Sequence, residues 1–198
     1  MPERLHIGAD GWADGARRHP SPNIDARPDG MPIDLIVLHN ISLPPAQSAA
    51  DFGTDHVLDF FTNTLDCDAH PYFDQLRGVR VSAHFFIRRT GECVQFASCD
   101  ARAWHAGASD FFGRTRCNDF SVGIEIEGTD DLPFTPEQYA TTASLVRAIC
   151  AAYPIAAIAG HSDIAPGRKT DPGPHFDWAR LRSLGGFNAA LFPYQHAL

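Results

Sequence analysis

Apolar residues alternate with polar or small residues through Ser121-Val122-Gly123-Ile124-Glu125-Ile126-Glu127 (SVGIEIE). Val122, Ile124 and Ile126 share one face of an extended chain, and the two glutamates share the other. A polar strand face is most often exposed to solvent. The pattern therefore predicts a strand over 121–127 whose apolar face packs on a core, with the two glutamates together on the opposite face.

Segments on either side of this strand predict the rest of a sheet. Short apolar runs bounded by polar or turn residues are typical of strands. They cover residues 33–38, which end at His39, and residues 81–89, 93–97 and 155–159. The turn residues Thr90-Gly91-Glu92 predict a hairpin that joins the strands at 81–89 and 93–97. A hairpin combined with intervening helices indicates a mixed sheet, not a purely parallel one.

Three segments carry the spacing and end signals of helices. They are residues 55–65, a stretch from Thr135 to about Ala152 with Pro136 at its first helical position, and a stretch from Asp177 to about Leu184. Residues 1–31 are predicted as an irregular lead-in, and the tail 185–198 is left unassigned. Without a repeat or a linker, residues 1–198 are predicted to form one domain of the α/β (α+β) class, a central mixed sheet flanked by helices.

Composition narrows the possible partners and the compartment. The chain has 198 residues and a formal net charge of −8, which counts against nucleic acid as a partner. Its apolar runs are far shorter than a membrane span, and its first residues lack the pattern of a signal peptide, so we expect a cytoplasmic protein with no membrane partner. Five scattered cysteines without a CxxC pair fit reduced thiols.

Two of the ten histidines stand where an apolar run gives way to a polar loop. They are His39 and His161, and Asp171 follows ten residues after the second. Two imidazoles and one carboxylate form a three-ligand set that leaves a fourth position on zinc for water, which is typical of catalytic sites. The three residues are far apart in the chain and form no compact motif. From the pattern alone, ordinary hydrogen-bonded or surface histidines therefore remain the alternative.

Glu125 and Glu127 are rival candidates for a general base on the acidic face of the strand. Both could instead be exposed strand carboxylates. Lys169, two residues before Asp171, could place a cation beside a developing oxyanion, or it could be a solvated loop lysine.

Six segments of the chain, taken in order, form a recognisable set. They are LHNISLPP (38–45), VSAHFFIRR (81–89), RAWHAG (102–107), CNDFSVGIEIEGTD (117–130), GHSDIAPGRKTDPGP (160–174) and FDWARLR (176–182). Together they resemble the cytosolic AmpD-type 1,6-anhydro-N-acetylmuramoyl-L-alanine amidases, and the resemblance runs from about Gly11 to Leu184. This group belongs to the zinc amidase family that also contains phage amidases and peptidoglycan recognition proteins.

The resemblance implies an amidase and peptidoglycan-recognition-like fold. It also implies a zinc-dependent cleavage of the amide between the lactyl group of anhydro-muramic acid and L-alanine, in soluble anhydro-muropeptides during cell-wall recycling. It assigns zinc to His39, His161 and Asp171, and catalytic roles to Glu125, in preference to Glu127, and to Lys169. The residues that it places along the substrate cleft are Asn40, Arg80, Trp104 and Arg116. Ser162 stands where the family often has cysteine.

Two other functions remain open at this stage. Some relatives on this fold bind peptidoglycan without cleaving it, although a complete ligand set argues against a pure binding module. An exported amidase acting on the intact sacculus is the other alternative, and the AmpD-type segments disfavour it. We expect a monomer acting on a small-molecule substrate. His84 is predicted to be a buried, hydrogen-bonded residue and His105 a substrate contact.

Overall fold

The computed structural model describes residues 5–195, and within that range the chain forms twelve strands. They are β1 (His6–Ile7), β2 (Ala13–Asp14), β3 (Arg17–Arg18), β4 (Ile24–Ala26), β5 (Leu35–Ile41), β6 (Phe85–Ile87), β7 (Cys93–Gln95), β8 (Ala101–Ala103), β9 (Asp110–Phe111), β10 (Arg114–Thr115), β11 (Ser121–Glu127) and β12 (Ala157–Gly160).

Helices connect and cover these strands. The α-helices are α1 (His56–Phe61), α2 (Pro136–Ala152), α3 (His161–Ile164) and α4 (Trp178–Gly185), and 3-10 helices cover Ala49–Asp51, Pro71–Leu76, Cys117–Asp119 and Ala189–Leu191. No helix in the described part of the chain has the length and apolar character needed to cross a membrane.

Six strands form the central sheet in the order β12-β5-β11-β6-β7-β3. The pairs β12–β5, β5–β11 and β11–β6 are parallel, and β6–β7 is the antiparallel hairpin that the sequence predicts. The sheet is therefore mixed and flanked by helices, which confirms the predicted fold class. It also brings the carboxyl ends of β5, β11 and β12 to one edge, where a site can form outside the strand ends.

The two main helices begin where the sequence predicts because their caps are encoded locally. The Thr135 hydroxyl accepts a hydrogen bond from the backbone N–H of Gln138 (3.1 Å), and the Gln138 side chain accepts one from the N–H of Thr135 (3.0 Å). Asp177 caps α4 by accepting from the N–H of Arg180 (2.8 Å). The helix predicted over 55–65 is shorter, ending at Phe61, and Asn63 beyond it has a positive φ of 64°.

Both faces of the sheet are covered. On one face, Ile36, Leu38, Val122, Ile124 and Ile126 share a core with α2 and α4. The opposite face packs against α1 and against the loops before β11. All seven residues of β11 are therefore buried. The alternative that Glu125 and Glu127 are exposed strand carboxylates is wrong, because helices and loops cover both faces of the sheet at β11.

The lead-in is more regular than the sequence predicts. Its short strand β3 joins the edge of the central sheet beside β7, and β4 pairs with β8. These pairings tie the segment to the body of the fold. The predicted lead-in and tail also include residues 1–4 and 196–198, which lie outside the described residues.

Candidate metal centre and catalytic cleft

The site lies where three neighbouring parallel strands end. His39 is near the carboxyl end of β5, and its register partner on β11 is Glu125, so the two side chains share a face of the sheet. His161 follows the last residue of β12 and begins α3. Strand pairing therefore brings together residues that are 122 positions apart in the chain.

Three potential ligand atoms converge at this edge. His39 Nδ1 lies 3.0 Å from His161 Nδ1 and 2.9 Å from Asp171 Oδ2, and the latter two atoms lie 3.1 Å apart. Both imidazoles are buried, and Asp171 is half-buried at the side of the cleft. The backbone holds the carboxylate in place, because the N–H of Ser162 donates to the carbonyl of Asp171 (2.9 Å).

The triangle fits a small divalent metal ion. Tetrahedral zinc, with bonds of about 2.0–2.1 Å to nitrogen, places neighbouring ligand atoms roughly 3.3 Å apart. The observed separations are close to this value. Two imidazole nitrogens and one carboxylate oxygen are also a donor set that zinc prefers, and three ligands from the protein leave a further position for water.

The second ring nitrogen of His161 shows which way its lone pair points. His161 Nε2 lies 3.1 Å from the backbone carbonyl of Ala106, which can only accept a hydrogen bond. Nε2 must therefore carry the proton, and Nδ1 presents its lone pair to the cluster. Outer hydrogen bonds of this type commonly orient metal-binding histidines.

The pKa values fit an uncharged imidazole beside an ionised carboxylate. Burial lowers the pKa of His39 to about 4, so this ring is neutral at pH 7. Burial alone would raise the pKa of Asp171, but the adjacent side chains of His161 and His39 hold it well below its usual range. Neutral histidine and ionised aspartate are the forms that bind metal.

Glu125 is the carboxylate beside this cluster. It lines the main cleft but is only 8% exposed, and its Oε2 has no hydrogen-bond partner among residues 5–195. Burial raises the pKa of Glu125 well above its usual range, with a further contribution from the charge of Asp171. A buried carboxyl group with a raised pKa, open on one side to a cleft, is suited to exchanging protons.

Glu127 has a different environment. Its Oε1 accepts a hydrogen bond from the N–H of Gly53 (2.7 Å), and its Oε2 accepts one from the N–H of Arg89 (2.8 Å). Both oxygens are therefore used to hold two loops against the end of β11. Of the two rival glutamates, only Glu125 lines the cleft.

The cleft has a volume of about 660 Å³. Asn40, Trp104 and Lys169 line it together with the metal-ligand candidates His161 and Asp171. Asn40 is held by hydrogen bonds from its amide to Asp130 Oδ1 (2.7 Å) and to the carbonyl of Pro172 (3.0 Å). The Trp104 indole N–H donates to Asp25 Oδ2 (2.7 Å), which fixes the ring at the cleft wall.

Arg80 and Arg116 lie away from this wall. Arg80 is exposed and lines a neighbouring depression of about 330 Å³, although Val79 and Val81 on either side of it line the cleft. The Arg116 side chain is 70% exposed, and its Nε lies 3.3 Å from Asp119 Oδ2. Substrate contact by either arginine stays a prediction.

Two further residues, His105 and Arg168, hold the cluster in place, and the sequence analysis assigned them no such role. The ring nitrogens of His105 contact His39 (3.0 Å) and Ser121 (3.1 Å). The residue also lines the cleft, and its contact with substrate stays a prediction. Arg168 Nη2 donates to the carbonyls of Ala106 (2.9 Å) and Ala108 (2.5 Å). No spacing signal marks these residues, because their partners are distant in the chain. His84 is buried and hydrogen-bonded, as predicted.

Comparison with known proteins gives the class to which this fold and site belong. The N-acetylmuramoyl-L-alanine amidase family (Amidase_2) matches residues 29–174, a range that contains both histidines, Asp171 and Glu125. The chain therefore belongs to this family of hydrolases.

Particular relatives are more similar still. The chain is 55% identical over 176 residues to the 1,6-anhydro-N-acetylmuramyl-L-alanine amidase AmpD of Escherichia coli (strain K12), a match that covers 88% of this chain and 94% of that protein. A crystal structure of a selenomethionine AmpD derivative superposes with a TM-score of 0.84 at 54% identity, covering 88% of this chain and 97% of the other.

A more distant solved structure contains a ligand. It is the amidase AmiD from E. coli in complex with the substrate anhydro-N-acetylmuramic acid-L-Ala-D-γ-Glu-L-Lys. It has a TM-score of 0.55 and 27% identity, and the match covers 92% of this chain and 66% of that one.

Proposed function

We propose that the protein is a zinc-dependent amidase that hydrolyses the bond between the lactyl group of 1,6-anhydro-N-acetylmuramic acid and L-alanine in soluble anhydro-muropeptides. The observation that carries the proposal is the triangle of His39, His161 and Asp171 beside buried Glu125 in a cleft. The similarity to AmpD supports the choice of bond, and the AmiD complex supports the substrate class. Cell-wall recycling is the process that this substrate implies.

In this proposal His39, His161 and Asp171 hold one zinc ion. When bound, zinc lowers the pKa of a water from about 15.7 to about 7 and polarises a carbonyl group. The neutral state of His39 and the ionised state of Asp171 at pH 7 support this assignment.

Glu125 acts as the proton carrier. Its carboxylate accepts a proton from the attacking water as the water oxygen bonds to the lactyl carbonyl carbon. The same proton then passes to the L-alanine nitrogen as the carbon–nitrogen bond breaks, which releases a free amine and a carboxylic acid. One Glu125 oxygen has no hydrogen-bond partner in the described structure, so the group is not committed to a structural contact.

The other cleft residues position the substrate and its charge. Lys169 lines the cleft, and its charge is close enough to lower the pKa of both Glu125 and His39. In this proposal the same charge stabilises the oxyanion that develops on the substrate. Asn40 offers its side-chain carbonyl, since its amide N–H groups are already donated. Trp104 offers an apolar face to the sugar. Arg80 and Arg116, outside the cleft wall, would meet stem-peptide carboxylates that extend beyond it.

The protein is further proposed to act as a monomer in the cytoplasm. The three ligands and Glu125 all come from one chain, so the site needs no residue from a second copy. Residues 1–198 are proposed to act as one domain, with the lead-in strands contributing to its sheets. The cytoplasmic location follows the resemblance to the cytosolic AmpD type.

Product analysis tests the proposed reaction. The purified protein is incubated with anhydro-N-acetylmuramoyl-tripeptide and, separately, with intact sacculi, and the products are identified by mass spectrometry. The proposal predicts free tripeptide and anhydro-N-acetylmuramic acid from the soluble substrate, with little release from sacculi. Binding of the muropeptide without cleavage by zinc-loaded protein would contradict it and favour a binding module.

A further inference from the structure

We propose that His105 is a positioning residue that fixes the tautomer of His39. It lies behind the candidate metal ligand in a directed chain of hydrogen bonds that ends at a backbone carbonyl. The inference rests on the zinc site of the proposed function. It adds a role for His105, Ser121 and Gly123 that neither the fold nor the ligand set requires.

The direction of these hydrogen bonds is set by the last one in the series, from Ser121 to a backbone carbonyl. Ser121 Oγ lies 2.6 Å from the backbone carbonyl of Cys117, and a carbonyl can only accept, so the serine proton lies between them. Among residues 5–195, the only other hydrogen-bond partner of that hydroxyl is His105 Nε2, at 3.1 Å. Since the serine proton is already donated, Oγ accepts here and His105 Nε2 carries a proton.

The same logic continues to the metal ligand. A neutral imidazole has one donor and one acceptor nitrogen, so with its proton on Nε2, His105 Nδ1 accepts. Its partner is His39 Nε2, 3.0 Å away, which must therefore carry the proton. His39 Nδ1 is then left with a bare lone pair aimed at His161 Nδ1 and Asp171. The chain thus selects the tautomer of His39 that can bind a metal ion.

The sheet is built to admit the His105 ring at this position. A Cβ added at Gly123 would lie 2.4 Å from His105 Cγ and 2.6 Å from its Nδ1, closer than such atoms approach in proteins. The imidazole therefore packs directly against β11 at the position where that strand has no side chain. Three residues on one face of the SVGIEIE segment serve the site: Ser121 accepts the hydrogen bond from His105, Gly123 leaves room for the His105 ring, and Glu125 carries the proton.

The loop that carries His105 orients both histidine ligands. The Asn118 side-chain oxygen accepts from the N–H of His105 (3.2 Å) and from the N–H of Ala106 (2.8 Å), which fixes the loop backbone. The side chain of His105 then orients His39, and the carbonyl of Ala106 orients His161. Two adjacent residues thus select matching tautomers on the two ligands.

A pair of substitutions separates hydrogen bonding from packing. His105→Leu keeps most of the buried volume but removes the acceptor, and it is expected to weaken zinc binding by roughly 10–100-fold, as loss of an outer hydrogen bond to a ligand does. His105→Asn places an amide oxygen near the former Nδ1 and is expected to recover most of that loss. Zinc affinity is measured by competition with a chromophoric chelator.

The two variants distinguish a hydrogen-bonding role of His105 from a space-filling one, because the two roles predict opposite orders of zinc affinity. If the ring only fills space, leucine retains zinc affinity and asparagine does not. Equal affinity in the parent protein and His105→Leu, or an asparagine variant no tighter than the leucine variant, overturns the inference. His84→Leu is the matched control, since His84 is also a buried imidazole, and its nitrogens contact the N–H of Gly123, the carbonyl of Ala101 and Arg27 Nη2. It is expected to lower the melting temperature while zinc affinity stays near that of the parent.

A second measurement needs no substitution. Long-range ¹H–¹⁵N correlation spectra of the zinc-loaded protein, labelled on histidine, distinguish the two neutral tautomers from the imidazolium. We expect protons on Nε2 of both His39 and His105; an Nδ1 proton or a charged ring at His105 overturns the inference. A parent protein that binds no zinc overturns the proposed zinc site as well, and that failure is seen before any variant is compared.

Discussion

Replacement of Glu125 by glutamine is expected to stabilise the metal-free protein while it removes most of the activity of the zinc-loaded protein. One carboxylate oxygen of Glu125 is buried without a hydrogen-bond partner among residues 5–195. A buried polar group in this state costs about 1–3 kcal/mol, and more when it is charged. Glutamine removes the charge with little change in volume, so the free energy of unfolding should rise by about 1–3 kcal/mol at pH 8.

The pH dependence of this gain has a definite sign. Burial raises the pKa of Glu125 in the folded chain, whereas an unfolded glutamate titrates near 4.3. Above that value the folded chain retains a proton that the unfolded chain has lost, so the stability of the parent falls as the pH rises. The advantage of glutamine should therefore be small below about pH 4 and complete at alkaline pH.

Glu127→Gln is the matched control, two residues away on the same strand. Its carboxylate accepts two backbone N–H groups, and hydrogen bonds to charged groups contribute about 1.5–3 kcal/mol each. Glutamine can accept at only one of these positions and turns an N–H donor toward the other. The free energy of unfolding should therefore fall by about 2–4 kcal/mol, while zinc binding and the rate per folded molecule are largely retained.

Urea unfolding of both variants at pH 4.5 and pH 8 measures the stabilities, and release of peptide from an anhydro-muropeptide measures turnover. Loss of a general base typically reduces kcat by about 10²–10⁴-fold. A Glu125→Gln protein that is less stable than the parent at pH 8, or that keeps near-full turnover, would refute the reasoning. Loss of turnover in Glu127→Gln without loss of stability would reverse the two roles.

Three other perturbations test the surroundings of the cluster. Acidification from pH 6.5 to 4 should lower the free energy of unfolding of the metal-free protein by about 3 kcal/mol through His39, because only the unfolded chain takes up a proton there in this range. Glu125 contributes with the opposite sign, so urea unfolding of the parent is compared with that of His39→Gln, and an equal pH dependence of the two proteins would contradict this. Gly123→Ala should lower the free energy of unfolding by about 1–3 kcal/mol, because the added methyl group overpacks against His105, and it should also weaken zinc binding. An unchanged melting temperature and zinc affinity would show that the ring has room. Arg168→Ala should lower the stability of the zinc-loaded protein by about 1–2 kcal/mol by freeing the carbonyls of residues 106 and 108, and an unchanged melting temperature would refute that role.

The parts of the fold that were predictable are those encoded by local pattern. The alternation in 121–127 predicts β11, and the caps at Thr135 and Asp177 predict the starts of α2 and α4. The same alternation does not predict that Glu125 and Glu127 are buried. Burial depends on the strands and loops packed around β11, which come from distant parts of the chain.

The candidate site divides in the same way. His39, His161 and Asp171 are of residue types that commonly bind metal ions, and the family resemblance assigns them to one zinc site. The partners of His105 and Arg168 depend on loop packing against the end of the sheet, which no spacing in the sequence encodes. Arg80 and Arg116 were grouped with the cleft by resemblance, but the structure places their side chains outside its wall.

Titration of the metal-free protein with zinc, with peptide release from anhydro-N-acetylmuramoyl-tripeptide followed at each step, tests the central claim most directly. If His39, His161 and Asp171 hold a single catalytic ion, activity should rise linearly and reach its plateau at one zinc per chain, and His161→Ala should show neither tight binding nor release. Full peptide release by protein shown to be free of metal, or by zinc-free His161→Ala, would contradict the account.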